Sequence, residues 1–341
     1  MKPRGLFGAA LLAASVLLLV LAPRFADGGT LRLLSEIVLM LAMAQMWNLL
    51  AGYAGLVSMG HQAFVGVGAY LLFILADRLN VSPYLMVPVG GLGAALVAVL
   101  VAPLMFRLRE AYFSIGMWVF AEVVRLLVTK FDVLGGESGV PLQAIRLVDS
   151  ESFQAGTVWI SGGIGLAAVL GVYALMRSPF GLGLMTVRDN ELAATSIGVD
   201  VWRNRFVAFV FSAFGCGLVG AAHYMGTMFL APDSAFDINW VVAVMFIVII
   251  GGIGTIEGPL IGTAIYFGLR EVFSSFFSMS GGWYLIAMGC IAIVVMLIAP
   301  SGLWGLARQR FGLRGLTVQR FAPLDAVDQS MTPLASRAIR P

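Results

Sequence analysis

Long apolar runs recur along this chain of 341 residues and constrain its fold more than any other feature. A helix needs roughly 20 predominantly apolar residues to cross a bilayer. Hydrophobic residues make up 60% of the chain and charged residues only 11%, too apolar a balance for a soluble core of this size. The sequence therefore predicts an all-α polytopic membrane protein with about ten transmembrane helices. We place these spans at 5–22, 33–50, 59–76, 84–106, 111–128, 157–176, 206–229, 240–253, 259–277 and 283–299.

The distribution of Lys and Arg predicts the orientation of the spans, because short cytoplasmic loops carry an excess of both residues. With the N-terminus inside, the inner side holds Lys2, Arg4, Arg107, Arg109, Arg177, Arg188, Arg203, Arg205 and the tail residues Arg308, Arg310, Arg314, Arg320, Arg337 and Arg340. The outer side holds Arg24, Arg32, Arg78, Lys130 and Arg146. We therefore expect both termini in the cytoplasm. A signal peptide is the alternative for the first run, but its removal would leave nine spans and move the basic loops or the basic tail to the wrong side.

Two glycine-rich segments interrupt the apolar pattern: GYAGLVSMGHQAFVGVGAY at 52–70 and GGIGTIEGPLIG at 251–262. Glycine in a membrane helix permits close approach of a neighbouring helix, or it permits a break where backbone lines a cavity. Both interpretations stay open for both segments. The candidate residues for a substrate path here are Gly55, Ser58, His61, Gln62, Gly252, Gly254 and Glu257.

An acidic and a basic residue lie three positions apart in the span at 111–128. Glu122 and Arg125 can pair on one helix face at this spacing. Charges at membrane depth usually face the bundle interior, so the pair is a further candidate for the substrate path. The alternative is that both side chains lie near the outer end of the helix and reach the interface.

The loop at 177–205 has the pattern of a short capped helix. Asp189 or Asn190 can cap a helix whose first turn begins with Glu191, and Gly198 can end it. Ala193 and Ala194 would give this helix a smooth surface suited to a groove on a partner protein. An ordinary connector is the alternative.

Enzymatic chemistry has no sequence support in this chain. No H-E-x-x-H motif or nucleophile elbow is present, and His61 and His223 are single histidines. Cys216 and Cys290 lie in apolar runs without the spacing of a metal or redox site. We expect a protein that is not an enzyme and has no metal site, no disulfide framework and no nucleic-acid partner.

Six segments in order resemble the LivM-type permeases of the branched-chain amino acid ABC transporters, over roughly residues 30–310. They are NLLAGYAGLVSMGHQAFVGVGAY (48–70), LREAYFSIGMWVFAEVVRLL (108–127), LGGESGV (134–140), RDNELAATSIGVD (188–200), APDSAFDINW (231–240) and GGIGTIEGPLIG (251–262). The resemblance implies an importer in the bacterial inner membrane. Its other parts would be a LivH-like second permease, two cytoplasmic ATPases and a periplasmic solute-binding protein.

The same resemblance implies the roles of individual segments. Glu191, Ala193, Ala194 and Gly198 would form the coupling helix that sits on an ATPase. ATP would be hydrolysed on the partners, since the chain has no G-x-x-x-x-G-K-[ST] loop and needs no cofactor. The chain then divides into a membrane anchor helix (1–30), the permease domain (31–305) and a basic tail (306–341). We expect the tail to contact membrane lipid and to be partly disordered.

The solute and the energy source each retain an alternative at this stage. Family membership implies branched-chain amino acids, with urea or short amides as the alternative. A stand-alone carrier driven by an ion gradient is the competing mechanism, with Glu122 and Glu257 as proton carriers. That mechanism has no need of the pattern at 188–198.

Overall fold

The described part of the computed structural model comprises residues 19, 21–277, 282–299 and 301–311. It is a bundle of helices with one pair of two-residue strands. The helices are α1 (Gly28–Asn48), α2 (His61–Leu79), α3 (Pro83–Met105), α4 (Ala111–Thr129), α5 (Ser150–Arg177), α6 (Pro179–Asp189), α7 (Glu191–Ser196), α8 (Val201–Thr227), α9 (Pro232–Ala235), α10 (Asn239–Gly251), α11 (Glu257–Phe277), α12 (Gly282–Ile298) and α13 (Gly302–Phe311). The strands β1 (Val140–Pro141) and β2 (Phe229–Leu230) pair antiparallel.

Eight helical segments of the described residues are long and apolar enough to cross a membrane. They correspond to eight of the ten predicted spans, which confirms a polytopic helical membrane protein. The predicted span at 259–277 forms α11, which is also helical but carries Glu257, Arg270 and Glu271 and is therefore less apolar. The predicted span at 5–22 falls almost wholly outside the described residues, so the total of ten stays a prediction.

The C-terminal part of the described chain differs from a simple tail. Residues 302–311 form α13, which packs against α10 and α11. Gly302 lies so close to the backbone of Gly252 that a side chain there would overlap it. The predicted lipid contacts and disorder beyond residue 311 lie outside the described residues.

The helix α8 forms the centre of the bundle, where it packs against α1, α2, α3 and α5. Small residues allow this close approach. A Cβ atom on Gly68 would overlap the carbonyl oxygen of Gly217, and a Cβ atom on Gly217 would lie 2.5 Å from the Cβ of Ala94. The packing interpretation is thus confirmed for the second half of the segment at 52–70.

Connections between the helices gather at two ends of the bundle. At one end, which we call the coupling end, Arg188 contacts Gly52 and the ring of Phe106 contacts that of Trp202. At the other end, which we call the opposite end, β1 pairs with β2, and the backbone N–H of Ala144 donates to Asp77. Segments predicted on the same side of the membrane therefore do meet. The placement of both termini in the cytoplasm stays a prediction.

Replacement of Gly68 by Ala should destabilise the bundle, because the added methyl group overlaps backbone of α8 that cannot move alone. We expect a loss of about 1–3 kcal/mol in the free energy of unfolding. Gly163→Ala is the matched control, since nothing lies within 4 Å of a Cβ at that helical glycine. Thermal unfolding in detergent measures both variants. Equal midpoints would contradict the packing described for α2 and α8.

Candidate functional site

The first glycine-rich segment contains a helix break at the coupling end. The helix α1 continues as a π-helical turn, Leu49–Tyr53, and α2 begins only at His61. Gly55 lies in the non-helical stretch between them, against the side chain of Arg188. The break is the connection between two membrane helices, and helix packing begins at its far end, where Gly60 lies against the backbone of Met117. The packing interpretation therefore applies from Gly60 onward, and a role of residues 52–59 in lining a substrate path stays a prediction.

A second break separates α10 from α11. Gly254 has a φ of 73°, in the left-handed region that glycine adopts without strain. The Thr255 hydroxyl donates to the carbonyl of Gly252 at 2.7 Å and accepts from the backbone N–H of Gly258 at 3.0 Å. Glu257 opens α11, and its Oε1 atom is buried without a hydrogen-bond partner among the described residues.

The two breaks contact each other through the side chain of Asn48, which is fully buried. Its Nδ2 donates to the carbonyl of Thr255 at 2.8 Å, and its Oδ1 accepts from the backbone N–H of Gly254 at 2.8 Å. Gln45 adds a bond of 2.8 Å to the carbonyl of Ile256. A Cβ on Gly52 would lie 2.5 Å from the nitrogen of Gly254. We call Asn48, Gly52, Gly254 and Thr255 the glycine junction.

The last turn of α6, directly before α7, is bonded to the glycine junction. Nη1 of Arg188 donates to the carbonyl of Gly52 at 2.7 Å, while Nε and Nη2 donate to Asp189 at 2.9 and 2.7 Å. A charged donor makes this bond stronger than a neutral one. From the sequence, Arg188 is only one of the basic residues of the inner side, because nothing in the local pattern identifies a partner 136 positions away.

The short helix predicted in the loop is present as α7. Asn190 caps it by accepting from the backbone N–H of Ala193 at 3.0 Å, whereas Asp189 pairs with Arg188 instead. Gly198 follows its end with a φ of 85°, which satisfies the terminal carbonyls in the manner of a left-handed cap. Glu191 forms an ion pair of 3.0 Å with Arg205 of α8.

The exposed surface of α7 differs from the predicted pair of alanines. Ala194 is fully buried against its own chain, and only Ala193 is exposed. Successive residues of a helix point in different directions, so two adjacent alanines do not share one face. Leu192 and Ile197 are 82% and 71% exposed. The exposed surface of α7 and the residue after it therefore includes two large apolar side chains beside the polar Glu191, Thr195 and Ser196.

Three predicted substrate-path residues lie inside the bundle. His61 Nε2 contacts the hydroxyl of Ser212 at 2.9 Å, and that hydroxyl donates to the carbonyl of Met46 at 2.8 Å. This assigns the ring proton to Nε2. Ser58 is fully buried, and its carbonyl accepts from Trp47 at 2.9 Å. Gln62 is also buried, and its Oε1 has no partner among the described residues.

The predicted pairing of Glu122 with Arg125 is confirmed, but the pair lies apart from the glycine junction. Arg125 Nε donates to Glu122 at 3.1 Å, and its Nη1 donates to Asp233 at 2.7 Å, which links α4 to α9. Met117 of the same helix contacts Gly60 near the coupling end. Arg125 lies eight residues beyond Met117, or about 12 Å further along α4. Side-chain exposures of 26% and 46% place the pair at the surface of the opposite end.

Comparison with known proteins identifies the family. The family model described as the branched-chain amino acid transport system / permease component matches residues 29–298. The chain is 25% identical to the high-affinity branched-chain amino acid transport system permease protein LivM of Escherichia coli (strain K12), over 89% of this chain and 76% of that protein. It is 24% identical to a probable branched-chain amino acid transport permease protein LivH of Methanocaldococcus jannaschii, over 70% of this chain and 80% of that protein.

Another relative carries a different solute in its name. The autoinducer 2 import system permease protein LsrC of Enterobacter sp. (strain 638) is 25% identical, over 96% of this chain and 94% of that protein. No solved structure matches the chain significantly. The family model covers most of the chain and includes both helix breaks and α7. The resemblance seen in the six sequence segments is thereby confirmed, and the chain belongs to the family of permease components of branched-chain amino acid transport systems.

Proposed function

We propose that this chain imports branched-chain amino acids across the bacterial inner membrane as one half of a heterodimeric pore. A LivH-like permease forms the other half, two cytoplasmic ATPases supply energy, and a periplasmic binding protein delivers the solute. The coupling end then faces the cytoplasm, and both termini lie on that side. The observation that carries this proposal is the bond between Arg188 and Gly52, which joins the loop around α7 to the helix breaks.

The contacts at the coupling end supply a route from the ATPase to the helices. Arg188 lies two residues before the cap of α7, so a displacement of α7 moves its guanidinium. That group is bonded to the carbonyl of Gly52, at the end of α1. Asn48 passes the displacement to Gly254, between α10 and α11. Both breaks then move together, and the pore alternates between two arrangements that differ in nucleotide affinity of the attached ATPases.

The exposed face of α7 is the docking surface for an ATPase in this proposal. Leu192 and Ile197 present large apolar side chains at the coupling end, beside the small Ala193 and the charged Glu191. Exposed apolar clusters rimmed by polar residues are typical of protein contacts. The sequence holds no phosphate loop of its own, so ATP hydrolysis and any nucleotide cofactor belong to the partner.

The proposed solute comes from the family description. Sequence identity does not distinguish the solutes of LivM and LsrC, since the chain is 25% identical to each. Branched-chain amino acids are the solute named for the family that matches residues 29–298. Urea and short amides are the alternative solutes. A stand-alone carrier gains no support from Glu122, which is engaged by Arg125 at the surface.

Substitution of Leu192 by Asp should release the ATPase and abolish uptake, since the exposed apolar contact would be replaced by a charge. We expect ATPase recovery with the tagged chain to fall at least about tenfold, as loss of a hot-spot contact costs about 2 kcal/mol or more. Val133→Asp is the matched control, because that residue is 63% exposed at the opposite end. Undiminished ATPase recovery with Leu192→Asp would contradict docking on α7.

A charge exchange separates a docking role of Glu191 from its ion pair with Arg205. Glu191→Lys alone should abolish uptake while the chain remains folded in the membrane. The double variant Glu191→Arg, Arg205→Glu restores an ion pair within the chain but presents the opposite charge to a partner. Uptake should stay absent in the double variant if Glu191 contacts the ATPase. Full recovery of uptake would show that only the ion pair of 3.0 Å matters.

Replacement of Arg188 by Gln should uncouple ATP hydrolysis from transport, because the charged bond to Gly52 is lost while α7 stays in place. We expect ATP hydrolysis in proteoliposomes to persist while solute transported per ATP falls about tenfold, the effect of a charge-assisted bond worth about 1.5 kcal/mol or more. Arg109→Gln removes a cation from the same end without removing this bond and should behave as wild type. An unchanged ratio in Arg188→Gln would contradict the proposed route.

A further inference from the structure

A cavity of about 780 Å³ lies at the opposite end of the bundle, between α1, α5 and α8. Cavities of about 300–1,000 Å³ are typical of small-molecule sites. Apolar side chains form part of its lining, among them Leu31, Leu39 and Phe153. None of the residues predicted from sequence for the substrate path belongs to this lining. The cavity is separate from the glycine junction, which lies at the other end of α1.

One turn of α1 presents two opposite charges to this cavity. Arg32 and Glu36 are four residues apart and both line it. Residues at this spacing on a helix can pair with each other, yet no ion pair joins them. Arg32 makes no hydrogen bond or ion pair to any residue that the structure describes. Oε1 of Glu36 accepts from Arg270 of α11, which leaves Oε2 of Glu36 as an acceptor for a further group.

Two more polar groups of the cavity lack a partner among the described residues. Ser35 is 7% exposed, and its buried hydroxyl oxygen has no hydrogen-bond partner. A buried hydroxyl without a partner is unfavourable, so a ligand that bonds to it gains from the contact. His223 contacts the rings of Trp240 and Tyr224, with centroids 4.8 and 5.0 Å away, and its nitrogens bond no described residue. These groups are available to a polar ligand.

We propose that this cavity binds the zwitterion of a branched-chain α-amino acid. Arg32 holds the carboxylate, Glu36 holds the ammonium group, and the aliphatic side chain lies against Leu31, Leu39 and Phe153. The inference rests on the proposed function, in which the opposite end faces the periplasm, where the solute arrives. A neutral urea or amide would leave the charge of Arg32 without a matching partner, and sites built for polar groups discriminate strongly against ligands that lack them.

The test measures equilibrium binding of radiolabelled L-leucine to the purified nucleotide-free complex. Leucinamide lacks the carboxylate, and 4-methylpentanoate lacks the ammonium group. We expect each analogue to bind about 10- to 100-fold more weakly than leucine, the effect of one lost charge-assisted hydrogen bond. This ligand series needs no variant. Equal binding of leucine and leucinamide by the wild-type complex would overturn the assignment.

The variant Arg32→Gln then locates the contact. It should weaken leucine binding by a similar factor and leave leucinamide binding unchanged or tighter, because leucinamide has no carboxylate for Arg32 to hold. Arg78→Gln is the control, since Arg78 is an exposed arginine at the same end that does not line the cavity. Wild-type leucine affinity in a folded Arg32→Gln complex would overturn the proposal.

Uptake distinguishes failure of this site from failure of the proposed function. ATP-driven leucine uptake by the wild-type complex tests the proposed function without any variant. If that uptake occurs and Arg32→Gln binds and imports leucine as well as wild type does, only the cavity assignment is wrong. If the wild-type complex assembles with its ATPases yet neither binds nor imports leucine, the proposed solute and this site both fall.

Discussion

The bidentate contact of Asn48 with the backbone of residues 254 and 255 is the interaction on which the rest of the coupling end depends. Helix ends leave backbone N–H and C=O groups without intrahelical partners, and two such ends meet here inside the bundle. One amide side chain satisfies a donor and an acceptor of the opposing segment. The close approach of Gly52 to Gly254 is possible because neither has a side chain. The two helix breaks are thus held together by the amide of Asn48 and by the close backbone contact of two glycines.

Arg188 connects the glycine junction to the segment that carries α7. The residue lies in the last turn of α6, and its guanidinium reaches the carbonyl of Gly52 in the first half of the chain. On its other side it holds Asp189, which is thereby kept away from the helix cap that Asn190 provides. The cap at Asn190, the ion pair of Arg188 with Asp189 and the bond of Arg188 to Gly52 involve adjacent residues. A change in one of these contacts therefore alters the others.

The two ends of the bundle carry different chemistry. At the coupling end, amide and guanidinium groups bond the backbone of the helix breaks, and the large apolar side chain of Leu192 is exposed on α7. At the opposite end, a cavity keeps Arg32, Ser35 and Glu36 of α1 beside apolar walls. The helix α1 runs between the two and takes part in both. A ligand at one end and a partner at the other would therefore act on the same helix.

The helical membrane architecture, the positions of the two glycine-rich segments and the capped helix at 191–196 could all be predicted from the sequence. Each of these depends on a local cause: apolar length, glycine and proline content, or a capping residue. Tertiary structure alone decided that the two breaks touch, that Ala194 faces its own chain, and that Glu122 with Arg125 lies apart from the junction. The bonds of Asn48 to Gly254 and of Arg125 to Asp233 join residues more than 100 positions apart, and these partners are fixed by how the helices pack. Neither the spacing nor the composition of a single segment carries that information.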